Sequence, residues 1–186
     1  SLEKCNTKEE FTKWVKDFEV EEVVIEEKLD GASLDVKYEN GLLVQLATRG
    51  NGELGSNVTH HADTIADLPR KIDHKGRINI RGEVVINISD FQAINEELPD
   101  EDKAKNPRNL ASGTLNSDTP MPERKLRFIA CSVIGLGNDE EMKDISFLVK
   151  NKFKPTKSLI TVTNTDTELI EFVEYIRKGY IDGERA

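Results

Sequence analysis

The sequence predicts an α+β fold in which antiparallel sheets pack with helices, and three observations carry that prediction. Ala32 to Tyr38 alternates strictly, with Ala32, Leu34, Val36 and Tyr38 on one side and Ser33, Asp35 and Lys37 on the other, as a half-buried strand does. Asn40-Gly41 follows at once, the pair that two-residue hairpins favour because both turn positions need positive φ, and LLVQLATR returns as the partner strand. The third is a negative. In ATRGNGELGSNV, Gly50, Gly52 and Gly55 spell G-x-G-x-x-G, which signals a dinucleotide-binding unit only when it ends a strand and opens a helix inside a parallel βαβ. Here it follows an antiparallel hairpin, and the SNVTHHADTIADLP beyond it is polar and broken by Pro69. These glycines predict a tight turn.

The remaining elements follow in order. NTKEEFTKWVKDF opens with a capping box, Thr7 reaching toward Glu10, and Phe11, Trp14, Val15 and Phe18 form an apolar helical stripe. EEVVIEE is a short strand leading into KLDG. RINIRGEVVI is another, with Ile78, Ile80, Val84 and Ile86 on one face and Arg77, Asn79, Arg81 and Glu83 on the other. SDFQAINEEL reads as a helix capped by Ser89, PDEDKAKNP as a polar loop, and PRNLASGTL as a short helix with Pro107 at its start. LRFIACSVIG is a continuous apolar strand expected to be buried on both faces. DEEMKDISFLVKNKF and TDTELIEFVEYIRKG complete the set as helices, the second boxed by Thr165 and Glu168 and stopped near Gly179.

At 186 residues, 37% hydrophobic and 33% charged, the chain has the composition of one globular domain. No apolar run approaches a membrane span, and SLEKCNTKEE lacks signal-peptide organisation. Cys5 and Cys131 are too far apart for a zinc or disulfide framework, so a cytoplasmic setting is expected. The net charge of −9 argues against a protein whose main task is gripping nucleic acid, so any such grip must be local or come from outside this chain. His60-His61 suggests no metal site, because adjacent side chains diverge and no third ligand is suitably spaced.

The stretch with chemical promise is EEKLDGAS. Lys28 sits at a strand end where the chain turns. A lysine is a nucleophile only when neutral, which with a reference pKa near 10.4 describes about one in several thousand at pH 7. Activation needs burial or nearby positive charge, and Arg49 and Arg81 are candidate neighbours. Read alone, K-x-D-G is also compatible with a surface turn, Arg49 and Glu83 with a cross-strand pair, and Arg108 with a bridge to a loop carboxylate.

Taken together, Glu26-x-Lys28-Leu29-Asp30-Gly31, Tyr38-Glu39-Asn40-Gly41, Thr48-Arg49-Gly50-Asn51-Gly52, Val58-Thr59-His60, Arg81-Gly82-Glu83-Val84 and Asn106-Pro107-Arg108-Asn109 resemble, in order, the adenylation domain of NAD-dependent DNA ligases. The resemblance extends from Ser1-Leu2 to the strand ending at Gly135, and on through KFKPTKSL and the last helix. It implies the nucleotidyltransferase fold of DNA ligases and mRNA capping enzymes. It also implies that residues 1–186 form a single adenylation domain stopping short of a later active-site segment, without the nicotinamide-binding domain before it or the DNA-binding domains after it.

The implied reaction is attack of Lys28 on the α-phosphate of NAD, release of nicotinamide mononucleotide, and passage of AMP to a 5′-phosphate at a DNA nick. By the same resemblance Glu26 and Leu29 surround the adenine, and Asp30 lies near the ribose and metal-bound water. Arg49 contacts the ribose, Glu83 accepts from a ribose hydroxyl, Arg108 meets phosphate, and Ser1 and Leu2 border the nucleotide. The implied cofactors are NAD and Mg²⁺, with no protein metal ligand assigned. The implied partner is nicked double-stranded DNA, met by a monomer through the full-length protein and with no membrane. Departures are Cys131, where the family carries an aromatic that stacks on adenine, and Asn116, where it carries an arginine. They keep two alternatives open: a non-catalytic nucleotide-binding module, or a relative that uses ATP or GTP.

Overall fold

The computed structural model describes residues 7–17, 22–49, 55–137, 141–162 and 178. The chain divides into two compact units, Ser1–Glu27 with Lys157–Arg177, and Lys28–Thr156 with Lys178–Ala186.

The first unit holds helix α1 (Lys8–Asp17) and strands β1 (Glu22–Glu26) and β6 (Ser158–Val162). The predicted cap forms, with Thr7 Oγ1 accepting from the Glu10 backbone N–H at 3.2 Å. Of the apolar stripe, Trp14 is half-buried, and Phe18 lies outside the described residues. β1 and β6 pair antiparallel, from Glu22 opposite Val162 to Glu26 opposite Ser158. Strand β6 was not anticipated; its signal is the β-branched run of SLITV after Pro155. Glu27 prolongs the pairing: its N–H donates to the Lys157 carbonyl at 3.2 Å, and its Oε1 accepts from the Lys157 N–H at 3.1 Å. The final helix expected over TDTELIEFVEYIRKG falls, apart from Lys178, outside the described residues.

The second unit is built on a sheet ordered β3-β2-β4-β5, antiparallel throughout, from β2 (Ala32–Glu39), β3 (Leu42–Thr48), β4 (Arg77–Val85) and β5 (Arg127–Ile134). The hairpin turn takes φ of 50° at Asn40 and 78° at Gly41, and a side chain at 41 would meet the Ile72 carbonyl oxygen at 2.5 Å. Helices α2 (Ile88–Glu97), α3 (Pro107–Leu115) and α4 (Glu141–Lys150) complete the unit.

One sheet face makes the core. Leu34, Val36 and Tyr38 of β2, Ile78, Ile80 and Val84 of β4, and Phe128 and Ala130 of β5 join Leu110, Ala111 and Leu115 of α3 and Leu148 of α4 in one apolar cluster. The Tyr38 hydroxyl donates to the Pro69 carbonyl at 2.5 Å, and burial pushes its ionisation far above the ordinary tyrosine value. The sheet edges are covered. β3 meets residues 56–59 and 70–72, and β5 meets Ala66 and residues 154–156, which blunts edge-to-edge association.

Three expectations need correction. The α2 cap is Asn87, the last extended residue, and Ser89 falls inside the first turn. The 100–102 stretch of the polar loop winds into a 3-10 turn, and residues 59–64 do the same. β5 is buried only through its first half, and Ile134 is 43% exposed. A register shift between Arg81 and Gly82 leaves Cys131 as an extra residue in β5, so the apolar run turns partly outward.

His60 and His61 each direct Nε2 at the Ser117 carbonyl, at 3.0 and 2.9 Å, with ring centroids 4.2 Å apart. Burial pushes His61 below the ordinary histidine value, against the Ser117 carbonyl, which favours the charged form. The unfolded chain therefore takes up the proton more readily than the folded one. Stability is expected to fall as pH drops below about 6.5, with a slope of at most about 1.4 kcal/mol per pH unit. Lys150 holds the Asp73 carboxyl below its ordinary value, so that contribution disappears only at lower pH, below the carboxylate range. Urea unfolding from pH 7.5 to 5 checks this: His61→Gln should flatten the dependence, and an equal slope in the variant contradicts it.

Candidate active site

The site grows from the segment that opens the second unit. Lys28 is exposed and, among the described residues, forms no hydrogen bond or ion pair. The residues after it are fixed. Leu29 packs on Val85 and Ile129, a small apolar cluster separate from the main core. Asp30 Oδ1 lies 3.2 Å from Arg108 Nη1, a pair open to solvent on both sides. Gly31 is buried against β4, where an added Cβ would meet the Val84 carbonyl oxygen at 2.6 Å and Glu83 Cβ at 3.2 Å. Only a glycine lets the backbone come this close.

Arg108 owes its position to the local sequence. Asn106 caps α3, its Oδ1 accepting from the Asn109 N–H at 2.8 Å, and Pro107 supplies the fixed φ of the first helical position. Arg108 therefore sits in the first turn, beside Asp30. Of the two sequence-level readings, the structure brings Arg108 to a loop carboxylate, with part of its guanidinium still open.

The sheet face opposite the core carries the polar ladder predicted by the alternation. Ser33 lies opposite Glu83, Asp35 opposite Arg81, Lys37 opposite Asn79, and Glu39 opposite Arg77. Arg81 Nε reaches Asp35 Oδ1 at 2.9 Å and Arg77 Nε reaches Glu39 Oε1 at 3.0 Å. Ser33 Oγ donates to Glu83 Oε1 at 2.6 Å. Arg81 is thus paired with Asp35 across the ladder. Glu83 pairs with Ser33 and not with Arg49.

Arg49 follows β3, exposed and, among the described residues, unpaired. The loop it opens returns at once: Thr48 N–H donates to the Ser56 carbonyl at 3.0 Å, and the Ser56 N–H donates to Thr48 Oγ1 at 3.2 Å. Gly55 lies on the Thr48 carbonyl, where a side chain would collide. Gly50 and Gly52, like Ser1 and Leu2, lie outside the described residues. Glu26 ends β1 in the first unit, exposed.

The structure therefore brings Leu29, Asp30, Glu83 and Arg108 into one neighbourhood through Gly31, and Lys28 precedes them directly in the chain. Sequence reasoning placed Ser33 on the polar face without giving it a part in the site. The alternation carried that signal, but the partner opposite Ser33 depends on strand register. Among the described residues no group of three His, Cys, Asp or Glu side chains could hold a metal ion, and no helix is long and apolar enough to cross a membrane.

Comparison with known proteins adds an independent line. Residues 1–181 match the family described as NAD-dependent DNA ligase adenylation domain. A DNA ligase of Campylobacter concisus is 41% identical over 171 residues, covering 84% of this chain and 26% of the relative. One of Alkaliphilus oremlandii is 37% identical over 191 residues, covering 95% and 28%. One of Nitratiruptor sp. reaches 53% identity over 108 residues, covering 56% and 16%. The chain spans about a quarter of the length of the first two relatives. A solved structure titled Pmar-Lig_Pre. aligns with a TM-score of 0.55 at 14% identity, covering 92% of this chain and 39% of that one, a likeness of fold.

Proposed function

Because the chain belongs to the NAD-dependent DNA ligase adenylation domain family, we propose that it performs the nucleotidyl-transfer step of nick sealing with Lys28 as nucleophile. The observation that carries the proposal is local. Leu29, Asp30 and Gly31 are each held against β4, β5 or α3, while the amine of Lys28 is left unpaired among the described residues. The backbone beside the amine is held in place, and because the amine itself is exposed, its activation is assigned to the positive charge that arrives with the bound nucleotide.

In the proposed step the Lys28 ammonium first gives up a proton to the solvent it is exposed to. Its nitrogen then bonds to the α-phosphorus of NAD as the phosphorus–oxygen bond to nicotinamide mononucleotide breaks, leaving AMP as a phosphoramidate. Glu83 accepts a hydrogen bond from a ribose hydroxyl. Leu29 and Glu26 border the base, Arg49 the ribose, and Ser1 and Leu2 the nucleotide's edge. Arg108 offers its remaining donors to phosphate.

The donor chemistry fits magnesium arriving with the diphosphate and not a resident cage, since Mg²⁺ keeps its waters and uses one or two carboxylates with substrate phosphates. Asp30, exposed and only singly engaged, would face that hydration shell. Bound there, the ion neutralises the diphosphate. The surrounding fold on this reading is a nucleotidyltransferase fold, its substrates NAD and nicked double-stranded DNA, the latter met by a monomer through the longer protein.

The test uses the full-length protein with NAD or ATP labelled at the α-phosphate. Covalent label from NAD with release of nicotinamide mononucleotide is expected. Label from ATP alone would replace NAD as the donor, and binding without label from either would make the domain a non-catalytic module.

A further inference from the structure

We infer that Ser33 is a positioning residue that holds the Glu83 carboxylate without neutralising it, and so sets the preference of the site for a nucleotide with an intact ribose. The inference rests on the proposed nucleotide-binding role of Glu83 and goes beyond it.

The ladder between β2 and β4 shows why. Its carboxylates at Asp35 and Glu39 each lie against an arginine, at 2.9 and 3.0 Å, so their charge is compensated. Glu83, at the end nearest Gly31, has a hydroxyl in the corresponding cross-strand position, with Ser33 Oγ donating to Oε1 at 2.6 Å. A hydroxyl fixes the carboxylate's rotamer, as a guanidinium would, but leaves its full negative charge. It also occupies one oxygen only, and no described residue is bonded to Oε2. Gly31 packs against the root of that side chain, where an added Cβ would come within 3.2 Å of Glu83 Cβ. The other two carboxylates of this ladder each face an arginine; the one that faces a hydroxyl is the one proposed to accept from a sugar hydroxyl. A carboxylate held in one orientation accepts such a hydrogen bond without first being ordered.

The experiment compares binding of AMP and of 2′-deoxy and 3′-deoxy AMP to the chain by calorimetry, in the wild type and in Ser33→Ala, Ser33→Thr and Ser33→Lys. The wild type should prefer AMP to at least one deoxy analogue by about tenfold or more, the scale of a hydrogen bond to a charged group. Ser33→Ala should weaken AMP severalfold and leave that analogue nearly unchanged, narrowing the preference, and Ser33→Thr should restore it. Ser33→Lys would complete the ladder with a charge pair and should also lose the preference while remaining folded. Equal weakening of AMP and analogue in Ser33→Ala, or an undiminished preference in Ser33→Lys, would overturn the inference. If the wild type prefers AMP over neither analogue, the role of Glu83 falls first, which separates that failure from one of Ser33 alone.

Discussion

Gly82→Val is expected to destabilise the second unit by more than about 3 kcal/mol, lowering its melting temperature by roughly 6–12 °C at 2–4 °C per kcal/mol. A glycine in the middle of a central strand is ordinarily a weakness, since it costs backbone entropy and packs nothing. Here it is required. Gly82 faces the core between β2 and β5, and a Cβ would meet the Phe128 ring at 2.7 Å and collide with the Ile129 carbonyl. Phe128 itself is fully buried, packed edge-on to Phe153 with centroids 6.3 Å apart, and cannot move aside without opening the core. The backbone oxygen has no freedom to yield, because β5 is tied to β4 on one side and to residues 154–156 on the other. Gly113 provides the contrast. It lies inside α3 with nothing within 4 Å of an added Cβ, so Gly113→Ala should stabilise by about 0.5–1 kcal/mol. Thermal melts of the two variants check both signs. A Gly82→Val protein that melts with the wild type would contradict the packing described.

Lys28→Arg is expected to reduce formation of the adenylated protein at least a hundredfold while leaving the fold unchanged. Both side chains carry a positive charge, so the variant keeps the electrostatic attraction for a diphosphate. What it loses is access to a neutral nitrogen: the guanidinium holds its proton about two or more orders of magnitude more tightly than an amine and spreads its lone pair over three nitrogens. Stability should shift by less than about 0.5 kcal/mol, because Lys28 is exposed and has no partner among the described residues. A single-turnover assay for covalent adenylate, run beside a melt, separates the two effects. Retention of wild-type rate in the variant removes Lys28 from the chemistry.

How much of this could be read from the sequence differs by element. The β2–β3 hairpin was legible because its information is local, in the Asn40-Gly41 dihedrals and the period-two alternation. The α3 helix was legible for the same reason, with cap, proline and arginine in adjacent positions. β6 was missed because a five-residue strand without alternation has too few residues to show a period, and its partner β1 lies over a hundred positions away in sequence. The burial of β5 was overestimated because an apolar run reports what a strand can bury, whereas the bulge at Cys131 decides which way it turns. In the site, the alternation correctly put Arg81 and Glu83 on one face. Their partners depended on register, which assigned Asp35 to the first and Ser33 to the second. Residue types and faces are short-range properties of the chain; pairings across a sheet are not.

The central claim is a covalent bond between the Lys28 amine and phosphorus, and peptide mapping tests it most directly. Full-length protein is incubated with NAD and magnesium, digested under alkaline conditions that preserve a phosphoramidate, and analysed by tandem mass spectrometry. A single adenylate on the peptide containing Lys28, lost on mild acid treatment and absent from Lys28→Ala, is the predicted result. Adenylate on any other residue, or an adduct that persists in Lys28→Ala, contradicts the account.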